Sequence, residues 1–153
     1  MDFIIREADD KLADARRLFQ EYASMLGVDL SFQHFAEELA GLPGKYGKPY
    51  GRLYLAYHQT ELAGCVALRP FDDTTCELKR LFIRPAFRGK RAGEKLVEKA
   101  IEAARLIGYT GMCLDTLPTL ASAIHLYQKL GFHEIPAYYH NPLQEVLFFR
   151  LDL

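Results

Sequence analysis

The sequence predicts an α/β (α+β) fold forming one domain over residues 1–153, and three observations carry that prediction. Apolar residues recur with a period near two in some segments and near 3.6 in others. Clusters of Gly, Pro and Asp separate these segments. The segments follow the order β, α, α, β, β, β, α, β, α, β, β, which interleaves helices with strands. A chain of this length can bury a substantial core.

Phe3 to Arg6 reads as a short strand. Asp9 to Met25 predicts a helix with Leu12, Ala15, Leu18, Phe19 and Tyr22 on one face, and Gly27 closes it. Ser31 is placed to cap a second short helix whose apolar positions include Phe35, Ala36 and Leu39. Gly41 to Gly51 is dense in Gly and Pro and reads as a loop, because what precedes it is too short to fold alone. Arg52–Tyr57 and Leu62–Leu68 form a predicted hairpin, and a turn at Asp72-Asp73 leads into a long strand from Thr75 to Ile83. Strand alternation puts Glu77, Lys79, Leu81 and Ile83 on one face. Ala92 to Ile107 is an amphipathic helix with an apolar stripe from Leu96 to Ile107, closed by Gly108. Met112 to Asp115 is a short strand, Thr119 is placed to cap a helix ending at Gly131, and Phe132–Ile135 and Val146–Leu151 are the last strands.

Half of the residues are hydrophobic and a quarter charged, an ordinary composition for a soluble chain. No apolar run approaches the ~18–20 residues that span a bilayer, so no membrane partner is expected. The first residues, Met1 to Arg6, lack the pattern of a secretory leader. Three scattered cysteines, Cys65, Cys76 and Cys113, fit a reducing cytoplasm better than a disulfide framework. The five histidines show no metal-binding spacing, so no metal is expected. The net charge of −1 hides a local imbalance: Leu78 to Lys95 holds seven basic residues and one acidic, Glu94. That concentration suits a compact polyanion better than nucleic acid, whose binders are basic more broadly.

The basic stretch has its own organisation. A strand ends at Arg84-Pro85, a short Gly-containing loop follows, and a helix begins near Arg91. Free N–H groups and the dipole at a helix N-terminus favour phosphate there. This stretch resembles motif A of the GCN5-related N-acetyltransferases (GNAT), whose pattern is Arg or Gln, two residues, Gly, one residue, then Gly or Ala. Arg88 and Gly93 meet it, and Arg91 stands where the first Gly is usual. Ala123 to Phe132, with Tyr127 followed by Gly131-Phe132, is similar to a second signature of the family. The resemblance covers nearly the whole chain. It implies a mixed, mostly antiparallel central sheet flanked by helices on both faces, and acetyl-CoA as co-substrate.

For the cofactor, the resemblance implies that backbone N–H groups of Arg88, Gly89, Lys90, Arg91, Ala92, Gly93 and Glu94 bind pyrophosphate, with the main chain of Leu81, Phe82 and Ile83 beside the thioester. Leu120 replaces an Asn that the family often carries. Amine acetylation needs a base, because an alkyl ammonium has a pKa of ~10.4. Glu77 lies where the histone-acetyltransferase branch carries its catalytic Glu; the alternative is a solvated carboxylate or the partner of a nearby Arg. Tyr127 is the candidate acid for the leaving thiolate, with a core tyrosine as the alternative. Tyr46, Tyr50, Tyr138 and Tyr139 are candidates for the acceptor site or for surface anchors. Asp115 is a candidate for the cleft or for helix capping.

The expected function is transfer of an acetyl group from acetyl-CoA to a primary amine of a small molecule or peptide. The competing reading is a CoA-binding sensor without turnover. A homodimer is compatible with the sequence. Nine acidic residues against four basic in the first forty would favour a cationic acceptor if they face the cleft; otherwise they are solvated helix faces.

Overall fold

The computed structural model describes residues 1–143 and 145–153, with Phe32 described by its backbone alone. The chain runs β1 (Ile4–Glu7), α1 (Leu12–Leu26), a 3-10 turn (Ser31–Gln33), α2 (Phe35–Ala40), a 3-10 turn (Gly44–Tyr46), then β2 (Arg52–His58), β3 (Glu61–Pro70) and β4 (Thr75–Ile83). A 3-10 turn (Pro85–Phe87) leads to α3 (Ala92–Ile107), β5 (Gly111–Thr116), α4 (Ala121–Lys129), β6 (His133–Ile135) and β7 (Leu147–Asp152). The seven strands form one sheet in the order β1-β2-β3-β4-β5-β7-β6. All neighbours are antiparallel except β4 and β5. A helical crossover, α3, joins that parallel pair, as a parallel connection requires. The expected mixed sheet is therefore the observed one.

Each face of the sheet carries its own core. On one, Leu96, Val97 and Ala100 of α3 and Tyr127 of α4 pack on Cys76, Leu78 and Met112. On the other, Ala15, Leu18 and Phe19 of α1 pack on Leu53, Leu55 and Phe82. The apolar stripes predicted for α1 and α3 are the stripes that are buried. Gly27 and Gly108 close these helices with φ of 65° and 111°, a left-handed backbone that glycine adopts without a Cβ penalty.

Several local expectations are corrected. Helix α1 begins at Leu12, not Asp9, because Ala8 to Lys11 is spent on a turn closed by the Lys11 N–H to Ala8 carbonyl bond. Ser31 does not start a continuous helix: His34 is left-handed, with φ 57°, and divides the 3-10 turn from α2. Thr119 is not the cap of α4, which starts at Ala121 after Leu120.

The main correction concerns β4. Ala67 pairs with Lys79 and Cys65 with Phe82, so two steps along β3 match three along β4. The extra residue makes a bulge, and Arg80 within it has φ 62°. Side-chain alternation is reset there. Leu81 and Ile83 consequently turn toward α3, while Glu77, Lys79 and Arg80 look to the α1–α2 side.

Candidate active site

Strands β4 and β5 pair only at Thr75–Gly111, Cys76–Met112 and Glu77–Cys113. Beyond that point β5 continues beside β7 to Thr116, while the bulged β4 turns away. The result is a wedge-shaped opening in the middle of the sheet. Leu81, Thr116, Leu120 and Tyr127 line its α3–α4 end, and Gln33, Lys79, Arg80, Asp115 and Asn141 line its α1–α2 end.

The loop before α3 supplies donors near the first end. Gly89 and Arg91 are both left-handed, with φ of 75° and 70°. The first bond into the helix is Lys95 N–H to the Arg91 carbonyl. Among the described residues, the backbone N–H groups of residues 89–94 donate to no acceptor. Six successive free amides at a helix N-terminus make an anion-binding concavity. A Cβ on Gly93 would lie at ordinary contact distance from Leu126 (3.5 Å) and Ile83 (3.7 Å), so internal packing does not demand glycine there. Arg88 and Lys90 add charge, and Arg91 pairs with Glu94 at 3.1 Å. Glu94 also takes Lys129 at 2.8 Å, which holds its carboxyl below the usual carboxylate range.

Tyr127 is 6% exposed, packs against Phe132 at 5.6 Å and makes no hydrogen bond among the described residues. Burial pushes its pKa up, so the hydroxyl keeps its proton and is free to donate it into the cleft.

The α1–α2 end holds a buried charge cluster in three groups. Arg80 forms a two-pronged pair with Glu38 at 2.9 and 3.0 Å, donates to Gln33 Oε1 at 2.9 Å, and stacks over Tyr22 and Phe35. Burial is the largest single influence and disfavours its charge, but the bonds to Glu38 together with the fields of Glu38, Tyr46 and Tyr22 outweigh it and raise its pKa. Arg69 on β3 meets Glu77 Oε1 at 2.9 Å, and Tyr138 donates to Glu77 Oε2 at 2.6 Å. Asp115 Oδ2 accepts from the Tyr139 hydroxyl and from Asn141 at 3.3 Å, and Asp115 Oδ1 faces Lys79 Nζ at 3.6 Å. Burial pushes the pKa of Lys79 below the ordinary lysine range. No group of three metal-ligating side chains gathers among the described residues. No helix among them is long and apolar enough to cross a membrane.

Comparison with known proteins bears on this geometry. The acetyltransferase (GNAT) family model matches residues 12–132. The chain belongs to the GNAT acetyltransferase family.

Related GNAT chains include an uncharacterized N-acetyltransferase of Schizosaccharomyces pombe, 44% identical over 145 residues that cover 93% of this chain and 88% of that one. N-acetylaspartate synthetase of Danio rerio is 31% identical over 121 residues, 72% of this chain and 43% of that one. Among solved structures, a Streptococcus agalactiae acetyltransferase covers 99% of this chain and 98% of its own with a TM-score of 0.81 at 24% identity. A GNAT acetyltransferase from Elizabethkingia anophelis with acetyl-CoA bound covers 67% and 76%, with a TM-score of 0.59 at 26% identity.

Within this GNAT fold, the residues singled out from sequence fall into separate places. Leu81 and Tyr127 line one end of the cleft, the 88–94 loop adjoins that end through Gly93 beside Ile83 and Leu126 without lining it, and Phe82 and Ile83 are turned into the two cores. Asp115 is on the cleft wall, and Tyr138 and Tyr139 brace the carboxylates behind it. Glu77 is 4% exposed, is the partner of Arg69, and is not on the wall. Tyr46 is buried away from the cleft and donates to Glu38. Tyr50 is exposed, and its carbonyl accepts from Tyr109 beyond α3. The acidic residues of the first forty mostly pair outside the cleft: Glu21 with Arg84, Asp14 with Tyr57, and Glu7 with Lys48. Glu38 approaches the cleft but is matched by Arg80.

Sequence reading missed Lys79, Arg80, Gln33 and Asn141 as site residues. By sequence Lys79 and Arg80 belong to the basic run of Leu78 to Lys95. Their signal was present, since adjacent cations in a central strand must find buried partners.

Proposed function

We propose that this GNAT enzyme transfers the acetyl group of acetyl-CoA to a primary amine of a small molecule by direct attack. The observation that carries the reading is the row of free amides at residues 89–94, at the start of a helix whose Ala92 shares a core with Tyr127, the hydroxyl of which is unpartnered among the described residues. The acetyl-CoA bound to the Elizabethkingia relative supports the choice of co-substrate.

In this reading the amides of residues 89–94 bind the pyrophosphate, and Arg88, Lys90 and Arg91 screen its charge. The unpaired edge of β4 near Leu81 stabilises the oxygen that becomes negative as nitrogen attacks. The C–N bond forms as the C–S bond breaks, and the proton of Tyr127 passes to the departing thiolate. A carboxylate at the other end accepts the proton lost by the ammonium. Geometry favours Asp115, whose Oδ1 accepts no hydrogen bond and is on the wall, over Glu77, whose two oxygens are held by Arg69 and Tyr138. Glu77 then positions Arg69 and Tyr138 instead of touching the amine.

The test is thiol release from acetyl-CoA with a panel of amines, paired with a thermal melt. Acetyl-CoA at ~100 times its Kd is expected to stabilise the fold by ~2.7 kcal/mol. Asp115→Asn is expected to lower kcat more than Glu77→Gln, and the reverse order would return the base to Glu77. A melt shift without thiol release for any amine would favour the sensor reading.

A further inference from the structure

Lys79 and Asp115 face one another across the opening with bonding capacity to spare. Lys79 is 6% exposed, and among the described residues its three N–H donors make a single hydrogen bond, to Gln33 Oε1 at 3.3 Å. At 3.6 Å its contact with Asp115 Oδ1 is an ion pair too long for a hydrogen bond. Among the described residues Asp115 Oδ1 accepts no hydrogen bond, although Oδ2 is anchored by Tyr139 and Asn141. A buried ammonium and a buried carboxylate oxygen normally gather more partners than this. The neighbouring pairs are closed by contrast: Arg80 is spent on Glu38 and Gln33, and Arg69 on Glu77. The two groups left open have opposite sign, lie on the acceptor side of the cleft, and are held by rigid strands.

We infer that Lys79 and Asp115 together bind a zwitterion, so that the acceptor is a free α-amino acid. Its carboxylate lies against Lys79 and its ammonium against Asp115 Oδ1, each taking up bonding capacity that the weak contact between the two leaves open. An amine alone would meet Asp115 but leave the Lys79 ammonium buried beside an added cation. An anion alone would leave Asp115 in the converse position. Only a ligand carrying both charges on groups attached to one carbon satisfies both walls. The same contact places the amino group beside the oxygen that takes its proton. N-acetylaspartate synthetase, one of the relatives, is named for an acetylated amino acid. The inference rests on the acetyltransferase reading above and narrows its acceptor.

The test measures kcat/KM by thiol release for matched sets of acceptors: free amino acids, the corresponding amino acid amides, and the amines lacking the carboxyl group. The free acids are expected to exceed their amides by about tenfold or more, the size of a lost hydrogen bond to a charged group. Lys79→Met is expected to collapse that acid-to-amide ratio, a readout that a merely structural role for Lys79 would leave alone. Amides or simple amines used as well as the acids by the wild-type enzyme would overturn the inference, with the acetyltransferase reading intact. An unchanged ratio in a folded Lys79→Met variant would also overturn it. Absence of thiol release with every acceptor would bring down both, and the wild-type ratio decides the matter if the variant fails to fold.

Discussion

Replacing Glu38 by Gln removes the counter-charge of Arg80 while keeping the shape of the side chain. The Arg80 side chain is 2% exposed and that of Glu38 is 11%, so neither charge has water to fall back on. Breaking such a pair from one side costs about 3–5 kcal/mol, because the remaining charge is buried alone. In a chain of this size each kcal/mol corresponds to about 2–4 °C, so the expected drop in Tm is roughly 10 °C. Cation–π contacts with Tyr22 and Phe35 persist in the variant and set the loss toward the lower end. Urea unfolding of Glu38→Gln, Arg80→Met and the double variant gives the assay. The double variant is expected to be more stable than the sum of the single losses implies, by about 2 kcal/mol, since both members of one pair are then gone. A single-variant loss below ~1 kcal/mol, or strict additivity, would refute the claim that this pair acts as a buried unit.

Arg91 holds a left-handed backbone that costs an L-residue about 1–2 kcal/mol, against a loss of ~0.5–1 kcal/mol from the greater freedom of unfolded glycine. Arg91→Gly is therefore expected to melt about 2 °C above Arg91→Ala, and equal melting would show that the loop is unstrained. Tyr127→Phe is expected to retain acetyl-CoA affinity in the melt and lose ~10²–10⁴-fold in turnover; wild-type turnover would make Tyr127 a packing residue. Arg84 holds the Glu21 carboxyl below the usual range, so this pair contributes above the unfolded pKa of ~4.3 and fades as acid protonates Glu21. Glu21→Gln, at a half-exposed site, is expected to cost under ~1 kcal/mol near pH 7, with the gap to wild type closing toward pH 3. A gap that stays constant with pH would assign the loss to packing.

Elements with strong periodicity were legible from the sequence. The stripes of α1 and α3, the hairpin of β2 and β3, and the closing glycines Gly27 and Gly108 all follow from local patterns that tertiary packing reinforces. The loop of free amides before α3 was legible because it is made of backbone, which accommodates Arg91 in place of glycine with φ at 70°. The acceptor end was not. A bulge adds one residue without any required sequence mark, and it moved Leu81 and Ile83 to the opposite face from Glu77 and Lys79. Gln33 is 46 residues from Lys79, and Asp115 is 36 further on; long-range pairing of that kind leaves no periodic trace. Glu77 is the partner of a nearby Arg, one of the alternatives the sequence left open, and that Arg lies on the neighbouring strand.

The three residue pairs joining β4 to β5 also govern how long the folded chain survives. The seam divides the sheet into a four-stranded part and a three-stranded part, β5-β7-β6, linked along the strands by little else. Sub-global opening favours lines where few backbone bonds must break. In the proposed binding mode acetyl-CoA sits in the wedge, where it would bridge the two parts and oppose that opening by mass action. Proteolysis that samples the open form then slows as acetyl-CoA rises. Degradation of the enzyme becomes tied to the supply of its own acetyl donor, with no second site needed to sense it.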